Sequence, residues 1–106
     1  MHAELAAGRW NTFSLATQMG NIGSEVGRAL RARAAGDTQR EERALDRALE
    51  LFGFTAADPR RHGSQLREVL RAREVVSDYF IGGNTYHSEP ESLDRYFMQF
   101  AIAARR

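Results

Sequence analysis

"MGNIGSEVGRAL", residues 19–30, places Gly20, Gly23 and Gly27 in a segment whose other residues favour helix. Two physical readings compete for it. The glycines either break the chain into a loop that cradles phosphate, or strip one side of a helix so that another backbone can come close. Leu15, Met19, Ile22, Val26 and Leu30 run through the segment at spacings of four, three, four and four, a seam of helical period. A loop would break that seam. Ala16, Gly20, Gly23, Gly27 and Ala34 form a second stripe, centred roughly 90° from the first on a helical wheel. A phosphate loop also needs a preceding strand and a following Lys-Ser/Thr pair, and the sequence offers neither. The stripe therefore predicts a helix with a smooth, helix-packing flank. An interior glycine costs about 0.8–1 kcal/mol relative to alanine, so three cost on the order of 2–3 kcal/mol. Close contact with a neighbouring helix, from the same chain or from a second copy, offsets that loss through dispersion.

Punctuation on either side of this stretch sets out three more helices. "AAGD" ends the first, with Gly36 as its C-terminal cap. Thr38 and Glu41 have capping-box spacing, with Asp37 as an alternative cap, and Leu45, Ala48, Leu49 and Phe52 line the inner face that follows. Gly53 is read as the stop, with Phe54 closing a Schellman ending. Asp58-Pro59 looks like a cap and first-turn proline. Leu66, Val69, Leu70, Val76 and Phe80 share the third face, and "IGGNT" terminates it. Ser88 and Glu91 are spaced to cap the fourth helix, whose stripe is Leu93, Tyr96, Phe97, Phe100 and Ala104. The expected fold class is all-α. With connections this short, the expected architecture is a single-domain, antiparallel up-down-up-down four-helix bundle over residues 1–106, with helices at about 10–35, 38–52, 64–81 and 89–104.

Composition agrees and removes several chemistries. The chain has 106 residues, 42% hydrophobic and 27% charged, a balance that suits a globular domain. A net charge of +1 implies neither a nucleic-acid nor a membrane partner. All fifteen basic residues are arginine, which fits either a GC-rich coding bias or a surface that favours bidentate phosphate contacts. The absence of cysteine excludes disulfides, thiolate metal sites and thiol catalysis. "MHAELAAGRW" has no apolar signal core and no run is long enough to span a bilayer, so the expected location is the cytoplasm.

Candidate functional residues are few. Arg73 falls near the centre of the third helix's apolar face, where its permanent charge needs a carboxylate or an anionic ligand; Glu25 and Asp94 border facing positions. An ion pair that fixes helix register satisfies this, and so does an anion pocket with Tyr86 and His87 at its rim. Arg67, Arg71, Glu74 and Asp78 read as a solvated ladder of opposite charges. Asn84, Thr85, Tyr86 and His87 form the most suggestive connection, though helix-stop and cap residues account for most of it. His2, His62 and His87 are scattered, and no Glu-x-x-His or His-Glu-x-x-His occurs, so no metal and no cofactor are expected. No nucleophile elbow occurs, and no arginine lies five to seven residues before a histidine as in HEPN-type helical ribonucleases. Arg60, Arg61, Arg67 and Arg71 could form a small basic patch, with too little charge and no aromatic platform for strong RNA binding. Met98 and Ile102 on the fourth helix, and Ala72, Val75 and Tyr79 on the third, form apolar backs that point to a homodimer interface.

"NIGSEVGRAL", "RALELFGFTAADPR", "LRAREVVSDYF" and "YFMQFAIAAR" together resemble a family of short, uncharacterised prokaryotic helical proteins, over most of the chain. The resemblance implies a helical fold in a bacterial or archaeal cytoplasm and brings no activity, cofactor or catalytic residue. The expected function is a non-enzymatic, self-associating interaction or regulatory module. The alternatives are a binding protein or enzyme for a small anionic, phosphorylated ligand centred on Arg73, and weak association with RNA.

Overall fold

Four long helices account for most of the chain in a computed structural model, which describes residues 7–106. They are α1 (Leu15–Ala34), α2 (Thr38–Ala57), α3 (Gly63–Phe80) and α4 (Pro90–Ala104), preceded by a helical turn over 7–10. The described residues contain no strand, and the four helices pack against one another.

The seam of α1 is the centre of the core. Met19, Ile22 and Val26 are completely or almost completely buried, in one cluster with Ala48 and Phe52 of α2, Val69 and Val76 of α3, and Leu93 and Phe97 of α4. Phe52 and Phe97 meet across this core with ring centroids 6.3 Å apart. The smooth flank of α1 receives α4. A Cβ on Gly20 would lie 3.4 Å from the Cα of Ala101, and one on Gly23 would lie 2.5 Å from the Cβ of Phe97. Gly27 is approached by its own helix, with Arg31 Nη1 3.3 Å from the place a Cβ would take and Asp94 Oδ1 at 3.9 Å. Ala16, the first member of the stripe, is half-buried.

Helix boundaries differ from the sequence-based expectation in three places. The first helix begins at Leu15, not near Trp10, because the Ser14 hydroxyl accepts the Thr17 N–H at 3.1 Å and caps it there. Trp10 belongs to the preceding turn and folds back into the core. The first helix does end just before Gly36, with Ala35 as its C-cap residue. The φ of +72° at Gly36 lets Asp37 N–H reach the Ala32 carbonyl at 2.8 Å and Gly36 N–H reach that of Arg33 at 3.1 Å, a Schellman ending.

Gly53 does not stop α2, and Phe54 closes no Schellman turn. The helix runs on to Ala57 because Phe52 and Thr55 gain burial by continuing it. It ends where Pro59 forces the preceding residue out of the helical region, Asp58 having ψ 119°. The cap of α2 is Asp37, which accepts Arg40 N–H at 3.1 Å. In α4 the reciprocal cap is shifted by one residue: Glu89 N–H donates to the Ser92 hydroxyl at 3.0 Å, in place of the expected Ser88–Glu91 pair. Leu70, expected inside, is 45% exposed.

Two glycines in equivalent helical settings should respond oppositely to the same methyl group. Gly53→Ala meets nothing within 4 Å and should raise the unfolding free energy by about 0.5–1 kcal/mol. Gly23→Ala forces Phe97 to shift at its Cβ, close to the backbone, and should lower it by about 1–3 kcal/mol despite the gain in propensity. Urea denaturation of both variants reads the difference. Equal stabilisation by the two would remove the close seat of α4 on α1.

Candidate functional sites

The inward positions of α3 are Val69, Ala72 and Val76, and Arg73 turns outward and is exposed. This corrects the expectation of an arginine at the centre of the apolar face. Helix α3 presents only a narrow face to the core, and that face is centred nearer Ala72. Glu25, expected to face Arg73, instead joins α1 to α2. Its Oε2 accepts from Arg47 Nε at 2.7 Å, and its Oε1 is paired with Arg28. Asp94 is exposed near Gly27.

The connection after α3 is organised by its own hydrogen bonds. Asp78 accepts from Thr85 N–H at 2.9 Å, from the Thr85 hydroxyl at 2.8 Å and from Tyr86 N–H at 3.1 Å. Partial burial raises the Asp78 pKa, but these donors outweigh it and hold the carboxyl below its ordinary value. Asn84 ties the far end, donating to the Ser88 carbonyl and accepting Ser88 N–H at 2.8 Å. Asn84 and His87 take the left-handed conformation, with φ of 52° and 53°. Tyr86 and His87 are exposed, and Glu74 beside the Tyr86 hydroxyl pushes its pKa up. Glu25 thus faces α2, Tyr86 lies near Glu74, and Arg73 points outward. These residues do not form one pocket.

The expected interface residues also separate. Ala72 is buried in the core, so it belongs to the fold and not to a free surface. Val75 is half-buried and lines an apolar groove of about 280 Å³ between α3 and α4, with Val76, Leu93 and Tyr96. The Tyr96 hydroxyl donates to Glu68 across it at 3.1 Å, and burial, helped by the Glu68 charge, pushes its pKa well above the ordinary tyrosine value. Tyr79 is half-buried with the Arg33 guanidinium 5.0 Å from its ring centre. Met98 and Ile102 remain on the outside of α4, 54% and 48% exposed.

A buried polar cluster at the amino end of α1 escaped sequence reasoning. Gln18, fully buried, donates through Nε2 to the Trp10 carbonyl at 3.0 Å and to Asp58 Oδ2 at 2.9 Å. Arg61 Nε donates to Gln18 Oε1 at 3.0 Å, and Arg60 Nη2 reaches Asp58 Oδ2 at 2.7 Å. Both arginines also hold the Phe13 carbonyl, and Trp10 Nε1 donates to the Thr55 hydroxyl at 2.9 Å. Arg60 and Arg61 therefore both engage the Asp58 carboxylate and the 10–13 turn, Arg61 from a buried position and Arg60 from an exposed one. The signal that could have been followed was Gln18, a polar residue beside Leu15, Met19 and Ile22 on the apolar seam.

Among the described residues, no three His, Cys, Asp or Glu side chains are grouped to hold a metal ion, and no helix is long and apolar enough to cross a membrane. His2 lies outside the described residues. No protein-family model, curated protein or solved structure matches the chain, so the site residues rest on geometry alone.

The polar cluster makes stability depend on acid. The Arg60 guanidinium holds the Asp58 carboxyl well below its ordinary value, against the opposing effect of burial and with help from the Gln18 amide. A carboxyl held low in the folded chain contributes fully above the ordinary value of 3.8, and that contribution fades as pH falls below it. Asp58→Asn leaves Arg61 buried without its counter-charge and should cost about 3 kcal/mol at neutral pH. Thermal melts from neutral pH into acid should show a shallower loss of stability in the variant than in the native chain. Parallel pH profiles would contradict the assigned pairing.

Proposed function

We propose that the protein is a non-enzymatic helical interaction module that self-associates through the outer face of α4. In this reading the four helices form an antiparallel up-down-up-down bundle, and the module works in the cytoplasm. The observation that carries it is the pair Met98 and Ile102, one helical turn apart and about half exposed on the helix that covers the glycine flank. Beside them lies a shallow hollow of about 150 Å³, lined by Gly20, Gly23, Ser24, Phe97, Met98 and Ala101. It exists because the glycines leave α1 without side chains along that edge. A two-fold axis would seat Met98 of each copy in the hollow of the other, the self-complementary arrangement a symmetric dimer requires.

Magnitudes favour a dynamic dimer over a permanent one. Full burial of a Met or Ile side chain gains about 1.5–3 kcal/mol, and these start about half buried. Four such side chains across a two-fold interface therefore gain on the order of 3–6 kcal/mol, close to the lower range of the association cost of about 4–15 kcal/mol. Association should depend on concentration. The reading built on Arg73 as an anion centre has no comparable support, given the outward position of that residue.

Sedimentation velocity across a dilution series from the millimolar to the low micromolar range tests the proposal. The native chain should shift from dimer to monomer, and Met98→Glu with Ile102→Glu should be monomeric throughout with an unchanged far-UV spectrum. A native chain that is monomeric at every concentration would sink the proposal.

A further inference from the structure

The structure carries a second surface feature that self-association does not use. Between the carboxyl end of α1 and the amino end of α2 lies a cleft of about 440 Å³. It is lined by the buried Ala32 and Ala44, by the exposed Ala35, by Arg28, Arg31, Arg40, Arg43 and Arg47, and by Asp37. Alanines leave the space open; longer side chains there would fill it. Five of the fifteen arginines line this one depression.

Counter-charges account for only part of this set. Glu25 is shared by Arg28 and Arg47, one from each wall, and Asp37 pairs with Arg40 at 3.4 Å. Neither Arg31 nor Arg43 has a carboxylate within 4.0 Å among the described residues, and Arg31 folds back over Gly27. Five guanidinium groups line the cleft against the two paired carboxylates, and Asp94 Oδ1 stands over Gly27 near Arg31 outside salt-bridge distance, which leaves a local excess of two to three positive charges. The helix ends cannot supply the compensation. The amino end of α2 favours an anion and the carboxyl end of α1 disfavours one, so the two dipoles oppose each other and the guanidinium groups decide. Guanidinium is always charged and presents paired donors that match phosphate oxygens. By holding Arg28 and Arg47 across the cleft, Glu25 fixes two of the walls before any ligand arrives.

We propose that this cleft binds a small molecule carrying two or more phosphate groups. A single phosphate would meet only part of the charge excess, and a half-open cleft of this volume suits a small molecule held by both helices. The site is independent of the α4 face, so the failure of either proposal leaves the other standing.

Isothermal titration calorimetry of the full chain with inorganic tripolyphosphate tests it, with ADP and AMP as further arms. Tripolyphosphate should bind saturably with one site per chain, and ADP more tightly than AMP. Arg43→Ala and Arg31→Ala, both at exposed positions, should each weaken tripolyphosphate binding by about tenfold or more, while Arg73→Ala leaves it unchanged. Three results would overturn the assignment. One is equal binding of sulfate at matched ionic strength; another is binding untouched by Arg43→Ala and Arg31→Ala together. The third is binding of a short RNA with steep salt dependence but none of tripolyphosphate, which would mark a nucleic-acid surface.

Discussion

The contact between Phe97 and the bare backbone at Gly23 is the constraint around which the rest of the molecule is arranged. A helix pair normally keeps its axes apart by the length of its interface side chains. Here α1 has none at Gly20 and Gly23, and α4 settles until Phe97 occupies the volume a Cβ would need. That depth puts the Phe97 ring against Phe52 of α2, so α4 is coupled to α2 through the core as well as to α1 directly. It also has a consequence outside. With its inner side spent on α1, α4 turns Met98 and Ile102 outward, beside the hollow that the glycines leave.

The two ends of α1 are held by different physics. At its amino end, Gln18, Asp58, Arg60 and Arg61 satisfy one another and the carbonyls of Trp10 and Phe13, while the buried Asn11 Oδ1 of the same turn has no partner among the described residues. Such a network is strong only when complete, because each missing partner strands a desolvated group. At its carboxyl end, the charges are exposed and only partly partnered, which leaves an unbalanced positive cleft. The first arrangement ties the connection between α2 and α3 to the turn before α1. The second is free to meet a ligand.

Much of the architecture was legible in local pattern, and the failures share a cause. The α1 seam and the Gly36 ending could be read because both depend on residues within a turn or two of each other. Gly53 misled because its local meaning, a helix stop, was outweighed by the burial of Phe52 and Thr55 that a longer α2 achieves. Arg73 misled because a wheel finds the apolar side of a helix but not how far the neighbours wrap around it; α3 buries a narrower strip than its sequence offers. The Gln18–Asp58 contact spans forty residues, and only tertiary structure brings the two together. The arginine cleft was visible in part. Arg40, Arg43 and Arg47 have helical spacing on α2, but nothing local shows that Arg28 and Arg31 stand across from them.

The most direct test of the close α1–α4 seat is a double-mutant cycle in urea on Gly23→Ala and Phe97→Gly. If Phe97 is what leaves no room at position 23, removing its whole side chain, Cβ included, relieves the crowding. The added methyl should then be neutral or stabilising in the Phe97→Gly background, with a coupling energy of about 1–2 kcal/mol. Strict additivity, with Gly23→Ala having the same effect whether or not the Phe97 side chain is present, would contradict it.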